Sequence, residues 1–106
     1  MRSLDDVVSR QAKKLKHNKS AQVYILSCGD LIKIGVTNDI KQRLASLQTG
    51  NPVPIVLEYI EDKNQPYKVE SYLHRTFNSY RIRGEWFKGI TVRDIRIKML
   101  MCHDCD

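Results

Sequence analysis

The chain has 106 residues, a formal net charge of +6 and three cysteines. This length is typical of one domain with a modest core, and no apolar run approaches the ~20 residues of a transmembrane helix. Residues 1–14 lack the apolar region of a signal peptide, and an odd number of cysteines favours reduced thiols, so we expect a cytoplasmic protein without a membrane partner. The basic charge favours an anionic partner, with nucleic acid first, although it also fits solubility alone.

A basic helix is predicted within the first 20 residues. Ser3 and Asp6 have the spacing of a capping box, and Leu4, Val8 and Leu15 fall near one helical face. Because the rest of the surface is basic, the helix either follows a phosphate backbone or docks on the domain through its leucines. The candidate nucleic-acid contacts in this segment are Lys13, Lys14 and Lys16.

Residues 22–35 are predicted to form a β-hairpin around which the rest of the chain is arranged. Two runs of β-branched and aromatic residues flank a turn built from Cys28, Gly29 and Asp30. Tyr24 and Lys33 are the polar-tipped residues of the two arms. The pattern places both near the turn at comparable distances, which makes them candidates for cross-strand neighbours.

The following segments predict a helix, a strand and two further helices. Thr37 or Asn38 can cap the first helix, the β-branched residues 53–61 predict the third strand, and Pro66 places the next helix start near Asn64. The apolar stripes of these two helices are Ile40, Leu44 and Leu47, and Val69, Leu73 and Phe77.

The C-terminal part allows two interpretations. Thr91 followed by Asp94 predicts a capped helix, whereas the alternation of Ile95, Ile97 and Met99 suits a strand. We prefer the helix because of the capping pattern. The tail in residues 102–106 contains one CxxC pair, which supplies only half the ligands of a structural zinc site.

Five polar residues lie at the edges of the predicted apolar faces: Tyr24, Lys33, Arg43, Glu70 and His74. A tyrosine beside a cation can act as general base toward water, and a guanidinium presents a planar fork to phosphate. A lone carboxylate can hold Mg²⁺, or another divalent cation such as Mn²⁺, together with water and substrate phosphate. These residue types suit the hydrolysis of phosphodiesters.

The same residues also have structural explanations. Lys33 suits an edge strand, where a charge prevents sheet-to-sheet association. On the two helices, Arg43 can pair with Asp39 and Glu70 can pair with His74, each pair being four residues apart. Spacing alone favours these structural explanations over a nuclease.

The order of the short motifs resembles that of the GIY-YIG nuclease superfamily. VYI is followed by KIG, an arginine on the next helix, ESYLHRTF and RGEWF, over residues 22–101. The likeness is greatest to a small, phage-associated branch whose second motif carries lysine. It implies an α+β fold with a small three-stranded antiparallel sheet flanked by helices. The expected domains are a basic N-terminal helix (1–20), a GIY-YIG-like nuclease domain (21–101) and a polar tail (102–106).

The resemblance also implies roles for particular residues. Tyr24 matches the tyrosine of the first motif, Arg43 the helix arginine and Glu70 the metal-binding glutamate, while Lys33 stands in place of the second tyrosine. We expect Tyr24 to activate water, with Lys33 lowering the pKa of its phenol and His74 assisting.

The function that we expect from the sequence is that of a Mg²⁺-dependent endonuclease that hydrolyses DNA phosphodiester bonds without a small-molecule cofactor. The alternatives are a GIY-YIG-like nucleic-acid-binding module that has lost cleavage, and a small interaction protein. Beyond the N-terminal lysines, the candidate nucleic-acid contacts are Lys41, Arg81 and Arg83.

Overall fold

The structure is a computed structural model that describes residues 21–102. Within this range the chain forms five strands and three α-helices, which confirms the predicted α+β class. In chain order the elements are β1 (Gln22–Cys28), β2 (Leu31–Thr37), α1 (Ile40–Gln48), β3 (Ile55–Asp62), α2 (Pro66–Thr76), a 3-10 turn (Asn78–Tyr80), β4 (Arg81–Arg83), β5 (Trp86–Lys88) and α3 (Val92–Leu100).

The strands form one antiparallel sheet in the order β3-β1-β2-β5-β4. The predicted three strands lie side by side within it, but the prediction of a three-stranded sheet is wrong because β4 and β5 extend it. Strands of three residues are too short to show an alternating pattern, so the sequence revealed only the glycine turn between them. Since β5 pairs with β2, Lys33 lies on an internal strand and not on an edge.

The sheet separates two apolar cores of unequal size. The larger core lies between one face of the sheet and helices α2 and α3. Its fully buried side chains include Val23, Ile25, Ile34, Val69, Leu73, Phe87 and Ile95. The smaller core lies on the opposite face under α1, where Tyr24 and Leu26 of β1 pack against Ile40. The helical stripes predicted from the sequence therefore cover opposite faces of the sheet.

Helix α1 is capped by Asp39, and not by Thr37 or Asn38 as predicted. The Asp39 carboxylate accepts a hydrogen bond from the Gln42 backbone N–H at 3.1 Å, while the Thr37 hydroxyl accepts one from the Asp39 N–H at 3.1 Å. A carboxylate at this position also interacts favourably with the positive end of the helix dipole. Asp39 is thereby committed to the helix terminus.

The C-terminal segment is a helix, and the alternative strand interpretation is wrong. The Thr91 hydroxyl accepts a hydrogen bond from the Asp94 N–H, and the Asp94 carboxylate accepts one from the Thr91 N–H, each at 3.0 Å. This reciprocal pair is the predicted capping box. Pro66 occupies the first turn of α2, as its missing N–H requires.

Several predictions concern residues beyond 21–102. The basic N-terminal helix with Lys13, Lys14 and Lys16, and the tail after residue 102, lie outside the described residues. In the part of the chain that the structure describes, each helix is too short or too polar to cross a bilayer. Within the described residues, Cys28 is a free cysteine.

Gly35 is the point where β2 leaves room for the side chain of Tyr24. The two residues are directly paired across β1 and β2, and they share the face that α1 covers. A Cβ atom at position 35 would lie 2.4 Å from the Tyr24 Oη and 2.5 Å from its Cζ. The phenol ring therefore crosses the strand over the bare Cα of Gly35.

We predict that Gly35→Ala lowers the free energy of unfolding by about 1–3 kcal/mol, the usual cost of overpacking a well-filled core. The measurement is urea denaturation of the parent and the variant. Tyr24→Leu supplies the control, because a shorter side chain no longer reaches across the strand. If Gly35→Ala costs as much in the Tyr24→Leu background as in the parent, the close approach is not the cause.

Candidate active site

The Tyr24 hydroxyl meets the Arg43 guanidinium between the sheet and α1. Tyr24 is fully buried, and Arg43 Nε donates a hydrogen bond to its Oη at 3.3 Å. Arg43 stands beside the apolar stripe of α1 and extends from there to the surface. It lines a cavity of about 230 Å³ together with Thr37, Asp39, Gln42 and Ser46. The guanidinium thus links a buried phenol to a surface cavity.

Burial raises the pKa of the Tyr24 phenol above its ordinary value of 10.0. The hydrogen bond and the charge of Arg43 act in the opposite direction, but they offset the burial only in part. The negative charges of Glu85 and Glu70 raise the pKa further. Tyr24 is consequently a neutral phenol at pH 7.

The expected effect of Lys33 on Tyr24 is wrong. The strand register pairs Tyr24 with Gly35 and Lys33 with Leu26, so the two polar residues share a face but stand two positions apart along the hairpin. The cation in contact with the phenol is Arg43, and the pKa of the phenol is raised instead of lowered.

Lys33 is a buried cation whose partner is Glu85. Only 6% of its side chain is exposed, and its Nζ lies 3.0 Å from Glu85 Oε1. The ammonium also lies 5.3 Å from the ring centroid of Trp86, the residue that pairs with Lys33 across β2 and β5. The backbone fixes this arrangement, because the Ile34 N–H donates to the Glu85 carbonyl at 3.3 Å.

Glu70 of α2 reaches the same place from the other side of the sheet. Its half-buried carboxyl group has a pKa raised to about 7, chiefly because burial disfavours its charge. The next causes are the charge of Glu85 and a hydrogen bond to its carboxylate, whereas the charge of Lys33 acts to lower the pKa. Glu70, Glu85 and Lys33 therefore interact electrostatically with one another. The charges of both carboxylates also raise the pKa of Tyr24.

The chemistry of this carboxyl pair fits a divalent cation. Mg²⁺ and Mn²⁺ bind oxygen ligands, and Mg²⁺ usually uses one or two carboxylates together with water and substrate phosphate. Glu70 and Glu85 repel each other when both are ionised, and a divalent charge relieves that repulsion. Among residues 21–102, no three His, Cys, Asp or Glu side chains form a potential metal cage. A divalent cation held by Glu70 would complete its coordination with water or phosphate oxygens.

His74 lies one helical turn after Glu70, but it contacts the middle of β2. Its Nε2 lies 2.8 Å from the carbonyl oxygen of Ile34, which can only accept, so this nitrogen carries a proton. Its ring makes an edge-to-face contact with Phe87 at 5.2 Å. His74 therefore positions β2 next to Glu85, and the predicted pair between Glu70 and His74 is replaced by these contacts.

The candidate DNA contacts within the described residues lie on two elements. Lys41 is exposed on α1, two residues before Arg43. On β4, Arg83 pairs with Trp86, whereas the Arg81 guanidinium lies 5.6 Å from the ring centroid of Phe87. Of the two β4 arginines, Arg83 is thus associated with the residue that contacts Lys33.

Glu85 is the site residue that sequence reasoning missed. It lies in the GEWF segment, where a single acid after a glycine turn has no periodic pattern. The available signal was a buried lysine position on β2, because a buried ammonium requires a carboxylate partner. Without the pairing of β5 with β2, that partner could not be identified.

We predict that Glu70→Gln stabilises the metal-free protein at pH 8. A folded-state pKa near 7 lies above the ordinary value of 4.5, so stability is fully present below pH 4.5 and is lost as the pH rises through 7. We expect a gain of about 1 kcal/mol at most, because the carboxyl group is half exposed and solvent screens it. Thermal melting in EDTA should show the gain at pH 8 and little at pH 4.5.

Glu58→Gln is the matched control for this measurement. Glu58 is an exposed carboxylate of β3 that accepts a hydrogen bond from Ser27 Oγ at 2.6 Å, away from Glu85 in the strand order. A pH-dependent gain of equal size in both variants would contradict the proposed repulsion between Glu70 and Glu85.

Comparison with known protein families matches residues 14–99 to the T5orf172 domain, a phage-associated family related to nuclease-like domains. Neither the curated proteins nor the solved structures give a match to this chain. The family match covers most of the sequence, including every residue of the candidate active site. The chain belongs to the T5orf172 domain family.

Proposed function

We propose that this protein is a divalent-cation-dependent endonuclease of the GIY-YIG type that hydrolyses DNA phosphodiester bonds. The observation that carries the proposal is the hydrogen bond between Tyr24 and Arg43, next to a Glu70 carboxyl group whose charge acts on Tyr24 and is itself affected by Lys33. A phenol, a guanidinium, an ammonium and a carboxyl pair are groups that can act as base, charge stabiliser and metal ligand in phosphodiester hydrolysis. Membership of a family related to nuclease-like domains supports this assignment.

Tyr24 and Arg43 act as a unit in this proposal. After the phenol has lost its proton to solvent, the hydrogen bond from Arg43 Nε stabilises the Tyr24 phenolate, which accepts a proton from the attacking water and becomes the neutral phenol again. Since burial raises the pKa of the phenol, the phenolate is a transient species and not the resting form. The rest of the guanidinium faces a surface cavity and stabilises charge on the phosphate oxygens.

Glu70 holds the divalent cation in this proposal. When bound, the cation supplies Lewis-acid stabilisation of the charge that develops on the phosphate. Glu85 holds Lys33 beside this position, and His74 keeps β2 in register with the Glu85 backbone. Both residues therefore act by positioning others.

We predict that Glu70→Ala abolishes the nicking of supercoiled plasmid in Mg²⁺, because the cation loses its carboxylate. Arg43→Lys should slow nicking by about 10²–10³-fold, since lysine retains the charge but cannot present a planar fork. The measurement is the single-turnover nicking rate, with Glu58→Gln as the control that remains active.

The competing function is a DNA-binding module without catalysis. DNA affinity in Ca²⁺ should be measured on the same variants, because binding does not require hydrolysis. If the parent binds DNA but never nicks plasmid with Mg²⁺ or Mn²⁺, the binding module is the correct interpretation. Full nicking activity in Glu70→Ala would exclude the assigned metal role.

We predict that DNA affinity depends steeply on salt, because the net charge of +6 favours contacts to phosphates. In a plot of log affinity against log salt concentration, Arg83→Ala and Lys41→Ala should each reduce the slope by about 1. Lys88→Ala is the control, since Lys88 Nζ lies 3.4 Å from Asp30 at the hairpin turn. An affinity that is independent of salt would contradict phosphate-dominated binding.

A further inference from the structure

The buried ammonium of Lys33 is an unusual component of a cation site. Lysine is rarely buried unless it is paired, and here the partner is the Glu85 carboxylate at 3.0 Å. Glu85 is itself 37% exposed, so the pair lies at the border between the interior and solvent. The ion pair is therefore shielded from water on the Lys33 side and accessible to solvent on the Glu85 side.

The same Glu85 carboxylate interacts with Glu70, since its charge is one of the causes that raise the pKa of Glu70. The positive charge of Lys33 also acts directly on Glu70. Two carboxyl groups thus share one ammonium, which occupies the role that a metal ion has in a carboxylate site. The ammonium offsets one of the two negative charges when both carboxyl groups are ionised.

A divalent cation at Glu70 would compete with this ammonium for the same negative charge. Positive charges that are a few ångströms apart repel each other strongly where solvent screening is incomplete. We propose that Lys33 is an internal substitute for the divalent cation: it neutralises the Glu85–Glu70 pair in the metal-free protein and leaves Glu85 when the cation binds. This inference depends on the proposed function only for the assignment of the cation to Glu70.

The surroundings of Lys33 allow such a movement. Its four-carbon stem is flexible, and the Trp86 ring at 5.3 Å gives the ammonium a second contact that does not involve Glu85.

Mn²⁺ titration followed by electron paramagnetic resonance tests the competition on the full chain without DNA. Lys33→Met should tighten Mn²⁺ binding by about tenfold or more, because the competing charge is gone. Lys88→Met is the matched control, because it removes a lysine from the separate pair with Asp30 and should leave the affinity unchanged. Glu70→Gln should abolish saturable binding.

Nuclear magnetic resonance of the lysine ammonium groups tests the movement in the unmodified protein, which avoids any folding defect of the variant. Saturation with Mg²⁺ should shift the Lys33 signal and increase its exchange with water, while the Lys88 signal stays unchanged. The Lys33 signal is identified by its absence in Lys33→Met.

The outcomes separate this inference from the proposed function. If Glu70→Gln abolishes Mn²⁺ binding but Lys33→Met binds like the parent, the cation site stands and the competition is refuted. A Lys33 signal that is unchanged at saturating Mg²⁺ refutes the movement. If the parent shows no saturable Mn²⁺ binding, the cation assignment in the proposed function fails, and this inference fails with it.

Discussion

The crossing of the Tyr24 ring over Gly35 is the contact on which the arrangement of the site depends. The missing Cβ at position 35 lets the phenol lie across β2, and its hydroxyl group then reaches the helix on that face. On that helix, Arg43 Nε donates a hydrogen bond to this hydroxyl group. Because β2 also carries Lys33 and pairs with the segment containing Glu85, one strand relates the phenol, the guanidinium and the carboxyl pair.

The charged groups of the site weaken the fold on which they are placed. Glu70 and Glu85 are close enough that one of them resists ionisation, and the Lys33 ammonium is removed from water to offset their charge. An apolar residue at position 33 would pack between β1 and β5 without requiring a partner. The packing of the sheet does not require charged residues at these positions, and the function proposed above would account for them.

The sequence predicted the elements better than it predicted the contacts between their polar residues. The periodicity of Val69 and Leu73, and the Thr91–Asp94 capping box, depend on neighbours in the chain and were therefore readable. The partners of Arg43, Glu70 and Lys33 depend instead on strand register and on whether a nearby side chain is already used in another hydrogen bond. Asp39 is four residues from Arg43 in sequence, but it caps α1, and Arg43 contacts Tyr24 instead. Glu85 became visible only through the pairing of β5 with β2.

The division of the apolar interior into two cores has a consequence for dynamics. Helix α1 has nine residues and one fully buried side chain, Ile40, whereas α2 and α3 share the larger core on the other face. Cooperative units with fewer buried contacts open at a lower free energy than the whole domain. We therefore expect α1 to detach from the sheet while β1, β2 and α2 stay folded. In that partly open state the hydrogen bond between Arg43 and Tyr24 is broken, whereas Glu70 and Glu85 remain adjacent. Amide hydrogen exchange in α1 therefore measures how often the site opens and closes while the rest of the protein stays folded.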